Sequence, residues 1–291
     1  MNLNDLLPDA TAMGAVTLRT QNLARLEQWY TDGPGLSVLH AAPGELHLGS
    51  SVEGQATTLL VLREANDLRP PNPHDAGLFH TAILYPDEAA LAAAIIRMSR
   101  SANANYVGSA DHDVSRAFYF ADPDGNGVEL YADRPRSEWT WNSSGGVVMG
   151  SAYLDPNQFV HRFANEDAPS TALTTVGHVH LQVGDISSAR EFYVDTLGFA
   201  ETATYGGKAL FVSAGGYHHH MAMNVWNSAG AGRRAETLGL GVVDIVLPDH
   251  DAIGAAVERF SSRGVAAEHD GNRVSLRDPW NNLIRLSTEH K

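Results

Sequence analysis

The chain has 291 residues, 43% hydrophobic and 19% charged, enough for two domains or one large one with an ample core. A formal net charge of −14 argues against a sequence-independent grip on nucleic acid or on an anionic membrane surface. Cysteine is absent, which excludes disulfides, zinc ribbons, iron–sulfur clusters and thiol nucleophiles and leaves histidine and carboxylate as metal ligands.

From the N-terminus, Met1-Asn2-Leu3-Asn4-Asp5 lacks the basic start and apolar run of a signal peptide, and no apolar run approaches a membrane span. A cytoplasmic protein is expected. Four segments then repeat one pattern of short apolar strand, polar corner and amphipathic helix. The first runs from Gly14–Arg19 into Leu23–Tyr30, and the second from His80–Leu84 into Asp87–Ser99. The third runs from His178–Val183 into Ile186–Leu197, and the fourth from Val242–Leu247 into Asp249–Arg263. The equivalent positions Ala15, His80, His178 and Val242 lie 65, 98 and 64 residues apart.

Each repeat continues as short alternating strands split by Gly-rich turns, such as Thr57–Leu62 and Lys208–Val212, which reads as antiparallel sheet. The longer middle interval holds Arg136–Thr175, rich in Ser, Gly, Asn, Asp and Pro, and is read as a connector with a short helix of its own. The predicted fold class is α+β, with four βαβββ units taken in pairs. Residues 10–135 form the first half, 136–175 the connector and 176–291 the second half.

In repeats two and three the strand opens with a histidine seven residues before an aspartate: His80 before Asp87, and His178 before Asp185. In repeat two, Asp122-Pro123-Asp124-Gly125-Asn126-Gly127-Val128-Glu129 puts a glutamate on a strand directly after a tight turn. Two neutral imidazoles and one carboxylate, with positions left open, are the donor set of a non-haem Fe(II) oxygenase, and Mn(II) accepts the same set. A single strand histidine is more often a hydrogen-bonded core group. Two at equivalent repeat positions with a matched glutamate point instead to ligands. His180, two residues beyond His178 on the same face, is set aside by the repeat register.

In repeat four the matching segment Asp278–Leu286 carries Arg285 in place of the glutamate, so repeats one and four read as metal-free. His80, Glu129 and His178 can meet only if repeats two and three share one trough, and this crossed pairing is favoured. Under sequential pairing a third ligand would have to come from repeat one, with Glu64, His47 or His40 as candidates.

The repeat, the strand-opening histidines and the Asp-Pro-Asp-Gly-Asn-Gly-Val-Glu motif resemble the vicinal oxygen chelate superfamily. Over Met13–Glu289 the chain resembles its two-domain extradiol ring-cleaving dioxygenases, of the catechol-2,3-dioxygenase type. The resemblance implies two open-barrel modules, Fe(II) held by His80, Glu129 and His178, and cleavage of a catechol or substituted catechol with O2. The product would be of the 2-hydroxymuconic semialdehyde type. The commoner extradiol pattern takes its ligands from repeats three and four, and here the chain departs from it.

The segment Gly215–Asn224 carries three consecutive histidines and resembles the paired-histidine strand of these enzymes. The family's His-x-x-Ala spacing falls on His219 and Ala222, implying that His219 is the acid–base residue; strand alternation would place His218 and His220 on the opposite face, which makes one of them the other candidate. A polar rim on an exposed strand is the plainer reading of the same run. Asp111–Tyr119 resembles the family's His-x-Val-Ser-x-Ala-Phe-Tyr stretch, implying that His112 bonds substrate or oxygen and that Tyr119 sits near the substrate's deprotonated oxygen. The interval from His112 to Pro123 is shorter than in the family. Phe118, Tyr119 and Phe120 also read plainly as half-buried strand aromatics.

No Gly-rich phosphate loop or nucleophile elbow is present. A glyoxalase-type metal-dependent isomerase or lyase, and a non-catalytic protein binding aromatic ligands, are the competing readings of the same fold. Exposed strands in this fold class often pair, which admits a homo-oligomer.

Overall fold

The computed structural model describes residues 6–143, 145–165 and 173–288. The N-terminal stretch read above for targeting, part of the connector and residues 289–291 of the second half lie outside the described residues. Repeat one consists of β1 (Ala12–Thr20), α1 (Leu23–Asp32), β2 (Ser37–Ala42), β3 (Glu45–Val52) and β4 (Gln55–Glu64). Repeat two consists of β5 (Gly77–Tyr85), α2 (Glu88–Arg100), β6 (Tyr106–Asp111), β7 (Ser115–Ala121) and β8 (Gly127–Asp133). The connector holds β9 (Ala152–Tyr153) and α3 (Pro156–Phe163), the short helix expected there.

Repeat three consists of β10 (Thr175–Gln182), α4 (Ile186–Arg190) running into a π-helical stretch at Glu191–Thr196, β11 (Ala200–Tyr205), β12 (Ala209–Ser213) and β13 (Met221–Asn224). Repeat four consists of β14 (Gly239–Val246), α5 (His250–Ser262), β15 (Ala267–His269), β16 (Arg273–Arg277) and β17 (Leu283–Ser287). The fold is therefore α+β, built on four βαβββ units.

The helices begin where they do for a local reason. A strand leaves its corner with four orphan N–H groups ahead, and a short polar side chain at the N-cap satisfies one of them. Asn22 accepts from the backbone N–H of Arg25, Asp87 from that of Ala90, Asp185 from that of Ser188 and Asp249 from that of Ala252. The seven-residue step from histidine to aspartate is thus strand plus corner plus cap.

The strands hydrogen-bond in two orders, β15-β16-β17-β14-β1-β4-β3-β2 and β11-β12-β13-β10-β5-β8-β7-β6-β9. Within repeats two, three and four the first and last strands run parallel, β5 with β8, β10 with β13 and β14 with β17.

Residue contacts group the chain into two compact units. One comprises Leu18–Asn66 and His80–Gly177. In it α1 of repeat one is tied to repeat two at three points. The Tyr30 hydroxyl donates to Asp122 Oδ2 at 3.0 Å, Trp29 Nε1 donates to the Asn103 carbonyl at 2.9 Å, and Arg97 of α2 donates to the Gly33 and Pro34 carbonyls beyond the end of α1. The other unit comprises Met1–Thr17, Asp67–Phe79 and His178–Lys291. It repeats two of these ties: the Tyr193 hydroxyl donates to Asp278 Oδ2 at 2.9 Å, and Arg259 of α5 donates to the Thr196 and Leu197 carbonyls. A guanidinium at helix-end carbonyls satisfies acceptors that have no partner within the helix.

Candidate functional site

His80 lies on β5, Glu129 on β8 and His178 on β10, with 6%, 2% and 2% of their surfaces exposed. The parallel register sets Glu129 opposite Ala82, so His80, two residues earlier, shares that face of the sheet. Its Nε2 stands 2.9 Å from Glu129 Oε2. The Asp-Pro-Asp-Gly-Asn turn aims the strand. Asp122 Oδ1 accepts from the backbone N–H groups of Asp124 and Asn126, and Oδ2 accepts from the Asn126 side chain.

One nitrogen each from His80 and His178 and one Glu129 oxygen all lie within 4.8 Å of one another. That separation suits three donors around a single ion, since imidazole and carboxylate ligands each sit about 2.0–2.2 Å from a transition metal. Burial of a carboxylate is costly without such a partner or a set of hydrogen bonds. The residues therefore fit a single bound metal ion.

Glycine at position 177 is required by packing, because a Cβ there would overlap the Tyr131 hydroxyl and press on Leu84. His178 follows directly.

Tyr119, on β7, is the register partner of Glu129, and its ring centroid lies 5.7 Å from that of His80. Burial, and then the Glu129 carboxylate, push its hydroxyl well above the ordinary phenol range. His112 sits in the corner between β6 and β7. Its Nδ1 is 2.8 Å from the Gly150 carbonyl and its Nε2 is 2.7 Å from the Tyr119 hydroxyl. Within repeat two, then, His80, Glu129, Tyr119 and His112 form one chain of contacts.

Tyr217-His218-His219-His220 do not form part of β13, where strand reasoning placed the three histidines, but occupy the bend that enters it. The strict alternation of faces assumed for them therefore does not hold, and each ring has its own surroundings. His219 packs on His178 with ring centroids 4.1 Å apart, and its Nδ1 is 2.7 Å from His218 Nδ1. His218 is farther from His178, at 6.1 Å. His220 turns back, its Nδ1 accepting from the Ala214 backbone N–H while its ring stacks on Phe199. All three are buried, contrary to a polar rim.

His180 is held elsewhere: its Nε2 is 2.9 Å from the Asn224 side-chain nitrogen, and its ring meets Phe79 and Trp226. His40 and His47 contact each other on β2 and β3, where His47 pairs with Glu45. In repeat four the position matching Glu129 is filled by an ion pair. Arg285 grips both carboxylate oxygens of Asp244, its register partner on β14. Sequence reasoning missed the partners that orient the imidazoles, Gly150 through its carbonyl and His218 through its ring. A backbone carbonyl carries no residue-type signal.

The family described as the Glyoxalase/Bleomycin resistance protein/Dioxygenase superfamily matches residues 12–130 and 175–286. Catechol-2,3-dioxygenase of Bacillus subtilis (strain 168) is 36% identical over 276 residues, 92% of this chain and 94% of that protein. Among solved structures, a candidate dioxygenase from Bacillus subtilis subsp. subtilis str. 168 superposes with a TM-score of 0.66 at 14% identity, covering 95% of this chain and 84% of that one. Glyoxalase I from Zea mays superposes with a TM-score of 0.57 at 16% identity, covering 96% and 92%. These structural likenesses speak to the fold alone. The matched residues cover most of both βαβββ halves, and the chain belongs to the Glyoxalase/Bleomycin resistance protein/Dioxygenase superfamily.

Proposed function

We propose that the protein is an extradiol dioxygenase that opens the ring of a catechol or substituted catechol with O2, using Fe(II) held by His80, Glu129 and His178. The observation that carries this reading is the buried group of two imidazoles and one carboxylate within 4.8 Å, in a chain similar over nearly its whole length to a catechol-2,3-dioxygenase. Bound iron supplies the electron transfer that couples the diol to dioxygen.

The remaining chemistry belongs to the chain. A diol must give up a proton on binding, and protons must then return at the right atoms during ring opening. His219, packed on His178 and hydrogen-bonded to His218, would carry them, since an imidazole can both accept and release a proton. The His112–Tyr119 pair would orient the substrate's oxygens: a buried phenol that stays protonated holds its hydrogen toward an acceptor and its lone pairs toward a donor.

Protein purified without oxygen and loaded with ferrous iron, given catechol and air, is expected to form a yellow ring-opened semialdehyde. Full iron loading with no such product would overturn the catechol assignment. Turnover of a non-diol substrate with nickel or zinc in the absence of oxygen would move the protein to the glyoxalase-type isomerases.

A further inference from the structure

The connector looks in sequence like a spacer, yet its Gly150 carbonyl meets the ring of His112. The Gly150 carbonyl can only accept a hydrogen bond, so the His112 Nδ1 that stands 2.8 Å away must carry a proton. In the neutral ring this leaves the Nε2 lone pair facing the Tyr119 hydroxyl at 2.7 Å. We propose that the connector completes the site, with the Gly150 carbonyl selecting the His112 tautomer that has its proton on Nδ1 and its Nε2 lone pair aimed at Tyr119.

The contact is a fastened one. The Gly150 N–H donates back to the His112 carbonyl at 3.2 Å, closing a two-bond clasp. Two residues on, β9 adds to the edge of β6 with Asp111 paired to Ala152 and Ala110 to Tyr153. The Ser109 hydroxyl donates to the Leu154 carbonyl at 2.6 Å, and Phe159 of α3 is buried against Phe118. Glycine suits position 150 because a Cβ there would run into the Asp113 carboxylate. Asp113 is itself in the left-handed region, at φ 67°, and its N–H is tied to Asp111 Oδ1.

The tautomer has a consequence for Tyr119. A free imidazole exchanges between its two neutral forms, and the hydrogen bond at one nitrogen decides which form persists. With the proton on Nε2, His112 would donate to Tyr119, and the phenol's own proton would turn to the Glu129 carboxylate beside it. With the proton on Nδ1, the phenol donates to His112 and leaves Glu129 its lone pairs. Gly150 is accordingly a positioning residue that never meets substrate. Its effect on turnover rests on the reading of His112 and Tyr119 as substrate-orienting groups.

The test pairs ring nitrogen-15 shifts of His112 with a double-mutant cycle. In the wild type, Nδ1 is expected to be protonated and Nε2 to carry the lone pair, with Gly150→Val losing that assignment while metal content stays unchanged. Gly150→Val is also expected to lower kcat/KM for catechol at least about tenfold. That loss should vanish in a His112→Ala background, since the two residues act as one device. A wild-type ring protonated on Nε2, or a Gly150→Val protein with wild-type ring shifts and kcat/KM, overturns the inference. If Gly150→Val does not fold, Gly150→Ala, whose Cβ meets only the Asp113 side chain, is read by the same criteria. If the wild type never turns over a catechol, the dioxygenase reading fails and the ring shifts alone decide the inference.

Discussion

At the scale of single residues, Tyr119 faces a choice that decides how the site is wired. It has one hydroxyl proton and two acceptors at hand, His112 Nε2 and the Glu129 carboxylate. Because burial and that carboxylate hold its ionisation well above the ordinary phenol range, it acts as a fixed dipole at neutral pH and not as a base. Tyr119→Phe is therefore expected to keep its iron, since no proposed ligand is lost, and to lower kcat/KM for catechol about a hundredfold. Iron analysis and steady-state kinetics on one preparation check this. Loss of the metal would instead make Tyr119 a support for Glu129.

Residue type and repeat register were enough to nominate His178 over His180 from the sequence. The reason His180 stays apart, its bond to Asn224 and its aromatic neighbours, was not legible there. Nor was the separation among His218, His219 and His220, because the bend before β13 replaces the alternation that strand reasoning assumed.

At the scale of elements, two devices recur in both compact units. One is the N-cap aspartate that follows each candidate histidine by seven residues, and it was visible in sequence as spacing before its cause was known. The other is the tyrosine–aspartate bond between a helix and the turn that leads into a closing strand, Tyr30 with Asp122 and Tyr193 with Asp278. It joins residues 92 and 85 positions apart, so nothing local announces it.

Burial outweighs the donors around Asp122 and pushes its carboxyl up to about 6, and Asp278 is raised for the same reason. A folded value above the unfolded one means that the native state holds the proton more tightly. The contribution to stability is then full below the unfolded value and lost as pH rises through about 6. The unfolding free energy of wild type minus that of Asp122→Asn is accordingly expected to fall by on the order of 3 kcal/mol between about pH 4 and pH 7. Denaturant titrations across that range check it, and a difference independent of pH would mean that Asp122 is ionised throughout.

At the scale of the whole chain, four repeats of one unit have diverged in what their strands carry. Repeat two keeps a strand-opening histidine and a closing-strand glutamate, and repeat three keeps only the histidine. Repeat four has Arg285 locked on Asp244 at the equivalent place, and repeat one opens with Ala15. The repeat order and the helix positions were legible because hydrophobic period and capping chemistry are local. The connector's grip on His112 was not legible at all, because it passes through a glycine carbonyl.

The most direct test of the account is the iron content of the anaerobically loaded wild type and its His178→Ala variant. One tightly held iron per wild-type chain, lost in His178→Ala, is the predicted result. Full occupancy in His178→Ala would contradict it and return the third ligand to another part of the chain.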